Sequence, residues 1–220
     1  MTTVFVTGTD TEVGKTHVAE QLLRAVADRG LACAGFKPVA AGAEHTGQGW
    51  RNEDALALKA AGNVDLPYEV INPYCFELPI APHLAAAEAG VRVDKQRILD
   101  AHAQIAAQAD WVLVEGAGGW RVPLNNALDF ANLAAGAGWP VLLVVGMRLG
   151  CINHALLSAE SIVRRCRLLG WVANCLPPEQ PRLRENIETL TKLMPAPLLG
   201  IFPGNGENPE KLEIEALLHV

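Results

Sequence analysis

One stretch near the start of the chain limits its fold more than any other: Gly8-Thr9-Asp10-Thr11-Glu12-Val13-Gly14-Lys15-Thr16. It follows the apolar run Val4-Phe5-Val6, which reads as a buried strand. It precedes a segment whose Val18, Leu22, Leu23 and Val26 recur at helical spacing, with Gly30 as its stop. Strand, glycine-bounded loop, Gly-Lys-Thr and helix make the setting that a phosphate-binding loop needs. Successive backbone N–H groups and the helix N-terminus form a concave anion site. Lys15 adds a point charge for β- and γ-phosphates, and Thr16 offers a hydroxyl to Mg²⁺. Five residues separate Gly8 from Gly14, one more than the common pattern. A glycine-rich turn with no ligand would need neither Lys15 nor Thr16.

Downstream, apolar runs alternate with helical patterns. Strands are expected at 32–36, 111–114, 141–145, 171–173 and 198–202, the fourth of the chain almost wholly aliphatic, as a strand buried on both faces should be. Helices are expected at 52–61, 83–89, 94–109, 130–137, 153–169, 182–194 and 208–218, with Gly62 and Gly90 as stops and Asp94 as a cap. Residues 40–53 read as a surface loop. Residues 63–82, carrying Pro67, Pro73, Pro79 and Pro82, read as an irregular crossing. The alternation predicts an α/β fold: a doubly wound, mainly parallel sheet of the P-loop NTPase type, with right-handed crossovers and a single domain over 1–220.

The 220 residues can bury a full α/β core. A net charge of −6, from 18 Lys and Arg against 24 Asp and Glu, leaves no electrostatic footprint for nucleic acid. No apolar run approaches the roughly 20 residues of a membrane span. The first strand begins almost at once, leaving no room for a signal peptide, so a cytoplasmic protein is expected. Cys33, Cys75, Cys151, Cys166 and Cys175 contain no C-x-x-C pair and read as reduced thiols in packing positions.

In such a sheet, ligands sit beyond the carboxyl ends of the strands. Lys37, fixed in extended backbone by Pro38, should stand at one such end, where it is either a charge facing the phosphate loop or a solvated surface group. Glu115 ends an apolar strand, and an isolated carboxylate there needs a partner. Mg²⁺ is the natural one; hydrogen bonds from the glycine loop that follows are the alternative. Asp54 is either a third oxygen ligand or a first-turn residue facing the helix dipole. Gly116 to Gly119 would let a substrate approach the backbone, or mark a tight turn. Gly150, Cys151 and Asn153 open a helix that either holds a carboxylate or is capped by Asn153. His83 and His154 lack companions at metal-ligand spacing and read as structural, and the Cys151 thiol as inert. The absence of G-x-G-x-x-G argues against a dinucleotide.

Together these pieces resemble dethiobiotin synthetase, the ATP-dependent ureido-ring-closing enzyme of biotin synthesis. The likeness rests on V-T-G-T-D-T-E-V-G-K-T (6–16), K-P-V-A (37–40), R-N-E-D-A-L-A-L (51–58), N-P-Y (72–74), P-H (82–83) and W-V-L-V-E-G-A-G-G-W (111–120). It continues through L-G-C-I-N-H-A (149–155), G-W-V-A-N (170–174), P-A-P-L-L-G (195–200) and E-N-P-E (207–210). The long phosphate loop is that family's own variant.

The resemblance implies 7,8-diaminononanoate, CO₂ and ATP as substrates, Mg²⁺ as the metal, and a homodimer in which 150–153 come from the opposite subunit. The 7-amino group would take up CO₂ as a carbamate. ATP would phosphorylate it to a carbamic–phosphoric anhydride, and the neighbouring amine would close the ring. Lys37, Lys15 and Thr11 would serve that chemistry, and Thr16, Asp54 and Glu115 would hold Mg²⁺. Glu12, Val13, Gly14, Lys15, Thr16 and His17 would wrap the phosphates, with Gly116, Ala117 and Gly118 close by. Asn174, Cys175, Pro203, Gly204, Asn205 and Glu210 would surround adenine. Thr11, Lys37, Ala41, Gly118, Gly150, Cys151 and Asn153 would meet the diamine. Two positions depart from the pattern: Ala41 and Cys175 stand where many members have Ser and Asp. A P-loop ATPase switch of the partitioning type and a small-molecule kinase share the loop. The switch would require neither Lys37-Pro38 nor the Glu115 glycine block, and the kinase would leave a phosphorylated product.

Overall fold

The computed structural model describes residues 1–178, 180–204 and 208–220. In chain order its elements are β1 (Thr2–Gly8), α1 (Lys15–Ala27), β2 (Cys33–Phe36), β3 (Val39–Ala41), β4 (Glu44–Thr46), β5 (Gly49–Arg51), α2 (Glu53–Ala61), α3 (Tyr68–Ile71), β6 (Tyr74–Phe76) and α4 (Pro82–Glu88). There follow α5 (Lys95–Ala106), β7 (Trp111–Gly119), α6 (Phe130–Ala137), β8 (Val141–Met147), α7 (Cys151–Val163), β9 (Leu168–Cys175), α8 (Leu183–Leu193), β10 (Leu198–Phe202), β11 (Lys211–Leu212) and α9 (Glu215–Leu218).

Seven strands form the main sheet in the order β11-β10-β9-β8-β1-β7-β2, parallel throughout except for β11. This is the α/β architecture expected of the alternating pattern. The period-two geometry of a strand sends neighbouring side chains of β1 to opposite faces. Val4 and Val6 pack with Val18, Leu22 and Leu23 of α1. Phe5 packs on the other side, stacked on Trp139 at 6.2 Å and tilted against Phe130 at 6.0 Å. Two apolar layers thus clamp the sheet and leave its carboxyl edge for chemistry.

Register then sets the neighbours at that edge. Phe36 pairs with Val114 and Val6 with Glu115. The residues that follow β2 therefore emerge beside Glu115, with the phosphate loop on the other flank.

Four segments differ from expectation. The helix expected over 153–169 ends at Val163, and Leu168 already belongs to β9. A short apolar run fits a buried strand and a helix turn equally well, and β8 offers β9 a parallel partner. The helix expected over 208–218 shrinks to α9. The edge of β10 captures Lys211 and Leu212 as an antiparallel strand, which satisfies backbone groups that a bare edge would leave open. The surface loop of 40–53 contains β3 and the hairpin β4–β5, with Val39 and Ala40 buried. The irregular crossing of 63–82 contains α3 and β6, and β6 runs parallel to β3. Elements of three or four residues carry too few side chains for periodicity to reveal them.

Candidate active site

The phosphate loop leaves β1 and enters α1 through Gly14, which adopts a left-handed backbone with φ 80°. A Cβ there would stand 2.0 Å from Asn174 Nδ2, so only glycine fits. Asn174, at the end of β9, donates from Nδ2 to Val13 O at 2.9 Å and braces the loop from one side. On the other side the Asp10 carboxylate accepts from the Thr11 N–H at 2.8 Å and pairs with Arg148, in the loop after β8. No side chain caps the N-terminus of α1, so its first N–H groups remain available to an anion.

Lys15 is the first residue of α1 and is only 7 % exposed, and its Nζ donates to Asp10 O at 3.0 Å. Burial, and next the nearby Lys37 ammonium, pull its pKa from 10.5 to about 8 against the opposing Glu115, Asp54 and Asp10 carboxylates. This ammonium is short of counter-charge, the state in which a phosphate binds best.

Lys37 stands one residue beyond β2, as its place before Pro38 implied. Its Nζ donates to Glu115 Oε1 at 2.6 Å, to Asp54 Oδ2 at 2.8 Å and to Gly116 O at 3.4 Å. Thr16 Oγ1 donates to the same Glu115 Oε1 at 2.9 Å. Lys37 and Glu115 are 3 % and 0 % exposed. Burial alone would depress the Lys37 pKa, but the charge and hydrogen bonds of Glu115 and Asp54 outweigh it and raise it above the ordinary value. Burial would push Asp54 up, but the Lys37 charge and hydrogen bond, then Thr16 and Lys15, hold it below the usual carboxylate range. Within the protein Glu115 is thus partnered by Lys37 and Thr16, neither of which the two sequence readings, a metal or glycine-loop N–H groups, supplied. Asp54 occupies the first turn of α2, as one of its two readings had it, and reaches this cluster through Lys37.

These groups open on one cavity of about 760 Å³. Among the expected site residues, Thr11, Glu12, Gly14, Lys15, Thr16, Lys37, Ala41, Asp54, Glu115, Ala117 and Gly118 line it. Asn52, Pro79, Ile80, Ala81, Pro82 and Val122 line it too. Sequence reasoning missed these, and only the proline run over the crossing segment hinted at them. Within the glycine block Gly118 alone has positive φ, 65°, and the block continues β7 to Gly119, which corrects the tight-turn reading.

Val13, His17, Gly116, Asn174, Cys175, Pro203, Gly204 and Glu210 do not line the cavity. Several gather on the other flank of the phosphate loop. Gly204 packs so closely on Cys175 that a Cβ would lie 2.3 Å from its carbonyl oxygen. The His17 ring meets Phe202 edge-on at 6.2 Å. Asn174 Oδ1 is buried with no hydrogen-bond partner, an acceptor open to a donor. Glu210 pairs with Arg184 at 2.8 Å. Asn205 and Glu207 lie outside the described residues. Gly150, the left-handed residue before α7, and exposed Asn153 stand away from the cavity lining, with Leu149 97 % exposed beside them. Asn153 does not cap α7, which begins at Cys151. His154 is exposed, and His83 Nδ1 is buried without a partner. Cys33, Cys151 and Cys175 are buried, and no disulfide forms among the described residues.

A divalent cation fits this donor set. Glu115 Oε2 is buried without a hydrogen-bond partner, and Thr16 and Asp54 lie beside it. No group of three or more His, Cys, Asp or Glu gathers as a metal cluster among the described residues. Two carboxylates and a hydroxyl, completed by phosphate and water, suit Mg²⁺ rather than an all-protein cage.

Comparison with known proteins places this geometry. A family model described as an AAA domain matches residues 2–208. An ATP-dependent dethiobiotin synthetase BioD of Pseudomonas paraeruginosa is 55 % identical over 205 residues, covering 92 % of this chain and 90 % of the relative. BioD 1 of Escherichia coli O157:H7 is 48 % identical over 207 residues, covering 94 % and 92 %. Among solved structures, the FtsY cell division protein of Thermotoga maritima superposes with a TM-score of 0.55 at 17 % identity, covering 100 % of this chain and 69 % of that one. The MinD of Aquifex aeolicus, solved in its complex with MinC, superposes with a TM-score of 0.55 at 18 % identity, covering 94 % and 87 %. At such identities these two show the fold alone.

Proposed function

The chain belongs to the family of ATP-dependent dethiobiotin synthetases, and from that membership we propose how its cavity closes the ureido ring of dethiobiotin in biotin biosynthesis. Its activity is the family's. A partitioning-type switch is not favoured, because the relatives at 48 % identity and more are named dethiobiotin synthetases, while the solved structures at 17 % and 18 % show the fold alone. The observation that carries the mechanistic reading is the buried Lys37–Glu115 pair, joined by Thr16 and Asp54, facing the same cavity as Lys15.

The substrates in this reading are 7,8-diaminononanoate, CO₂ and ATP. A carbamate on the 7-amino group and a transferring phosphoryl group both carry negative charge. Preorganised cations in a dry site stabilise both, because no solvent must reorganise around them. Lys15 takes the β- and γ-phosphates. The Lys37 ammonium, already held by two carboxylates, is aimed where the carbamate meets the γ-phosphate. Thr11, at the cavity rim, donates its hydroxyl to the carbamate. Thr16, Asp54 and Glu115 would hold Mg²⁺, which would supply positive charge against the charge that develops on the phosphoryl group. Asn174, Cys175, Pro203, Gly204, Asn205 and Glu210 form the adenine side, across the phosphate loop from the chemistry. Ala41 presents backbone rather than a hydroxyl to the diamine.

The assembly in this reading is a homodimer, with Gly150, Cys151 and Asn153 of one subunit receiving the diamine's carboxylate in the other's site. Residues 1–220 act as a single cytoplasmic domain, and no helix among the described residues is long and apolar enough to cross a membrane. The test is mass spectrometry of the product formed from diaminononanoate, bicarbonate and MgATP. A cyclic urea with ADP and free phosphate is expected. A phosphorylated diamine, or turnover independent of the diamine, would refute the assignment.

A further inference from the structure

Both peptide groups that flank Lys37 are tied to one short buried segment. The Lys37 N–H donates to Ile71 O at 2.9 Å, and Asn72 Nδ2 donates to Lys37 O at 2.6 Å and to Tyr74 O at 3.0 Å. The Tyr68 hydroxyl donates to Asn72 Oδ1 at 3.0 Å and accepts from the Asn52 N–H at 2.8 Å. Asn52 then caps α2 through Oδ1, accepting from Ala55 N–H at 3.3 Å. Its Nδ2 reaches Gly42 O at 3.3 Å and Ala41 O at 3.4 Å, on the cavity wall. Asp54 lies two residues further on.

Tyr68, Asn72 and Asn52 are each at least nine-tenths buried. The Arg51 guanidinium covers the Tyr68 ring at 4.2 Å, fixing the phenol's direction. In a low-dielectric interior a fully satisfied chain of this kind is rigid, and breaking one link strands the next group. The chain has two ends of interest: the backbone of Lys37 and the first turn of the helix that carries Asp54. These are the two side chains that converge at Lys37 Nζ, 2.8 Å apart.

We propose that Tyr68, Asn72 and Asn52 are positioning residues for the reaction, holding Lys37 and Asp54 in mutual register, Tyr68 and Asn72 from behind the cavity wall and Asn52 from within it. The proposal rests on the catalytic role given to Lys37 above. None of the three needs to meet substrate to act this way. A displacement of about 1 Å in a catalytic group can cost on the order of a hundredfold in rate.

Tyr68→Phe tests it, with Tyr74→Phe as the control. The Tyr74 hydroxyl also satisfies a backbone N–H, that of Asp94 at 2.8 Å, at a helix remote from Lys37. Thermal midpoint, ATP affinity by calorimetry, and kcat are measured well below both melting temperatures. Tyr68→Phe should lower kcat about tenfold or more while ATP affinity stays within about twofold, because the phosphate loop lies outside the network. Tyr74→Phe should lose comparable stability and keep its kcat. A Tyr68→Phe enzyme with kcat within about twofold of wild type overturns the proposal, as do parallel losses of kcat in both variants.

If Tyr68→Phe does not fold, Asn52→Ser decides on the same terms. It keeps a capping oxygen for α2 and removes the amide that ties the helix to Ala41 and Gly42. Lys37→Gln is assayed alongside. Full turnover by Lys37→Gln sinks the role of Lys37 and this proposal with it. A dead Lys37→Gln beside an unimpaired Tyr68→Phe sinks only the positioning role.

Discussion

Nucleotide binding should draw a proton onto Lys15, and the amount should follow pH in a calculable way. The free ammonium is pulled from 10.5 to about 8, chiefly by burial and next by Lys37. That fall represents roughly 3 kcal/mol of disfavoured charge in the empty site. A triphosphate beside Nζ supplies the missing counter-charge and restores the ordinary preference for the ammonium. With a free pKa near 8 and a bound one well above it, uptake should be about 0.1 proton at pH 7, about 0.5 at pH 8 and about 0.9 at pH 9. If the neutral amine contributes nothing to binding, the apparent Kd for ATP should weaken about tenfold between pH 7 and pH 9. Calorimetric titration at each pH in two buffers of different ionisation heat measures the uptake directly. Lys15→Ala should abolish it. The sign for the ligand-free protein is also fixed. The unfolded chain holds the Lys15 proton between about 8 and 10.5 where the folded one has lost it, so this group makes the fold more stable as pH rises through that window. Buffer-independent heats at pH 8, with equal affinity at pH 7 and pH 9, would show that Lys15 is already fully charged and the reasoning wrong.

Lys37→Gln should cut turnover on the order of a hundredfold while weakening ATP binding far less, and Lys37→Arg should not rescue it, since a planar fork does not fit among Asp54, Glu115 and Gly116 O. Equal losses in rate and in calorimetric affinity would reduce Lys37 to a nucleotide ligand. A Lys15 variant and Asn153→Asp, each inactive alone, should regain up to about half the wild-type activity per heterodimer after co-refolding, because one site then carries both lesions and the other neither. Verified heterodimers that stay dead would place the substrate tail within one chain.

What the sequence made legible was local. The strand, loop and helix around Gly8 to Thr16 are consecutive residues, and their pattern implies their geometry. Placing Lys37 just past a strand end was equally local, resting on the proline after it; Glu115, expected to end its strand, lies inside β7, which continues through the glycine block to Gly119. Their pairing was not legible. The two residues are 78 apart in sequence and meet because β2 lies beside β7 in a register that sets Phe36 opposite Val114. Nothing in either segment names its neighbour in the sheet. The same limit hid β11, a strand only because β10 has an open edge, and the chain Lys37–Asn72–Tyr68–Asn52, whose links cross three elements.

That pairing changes how Glu115 is understood. A carboxylate at 0 % exposure beside an ammonium at 3 % is weak evidence of stability, because desolvating both charges offsets most of their attraction. Deleting either one alone strands the other, so the pair behaves as a unit. The surroundings that make it costly also make it effective. In a dry, low-dielectric wall, a fixed ammonium acts on developing phosphate charge far more strongly than it could in water. Glu115 Oε1 steadies that ammonium and accepts from Thr16, while the buried Oε2 stays without a hydrogen-bond partner. In the proposed mechanism this carboxylate holds the Lys37 ammonium with one oxygen and would leave the other for a divalent cation.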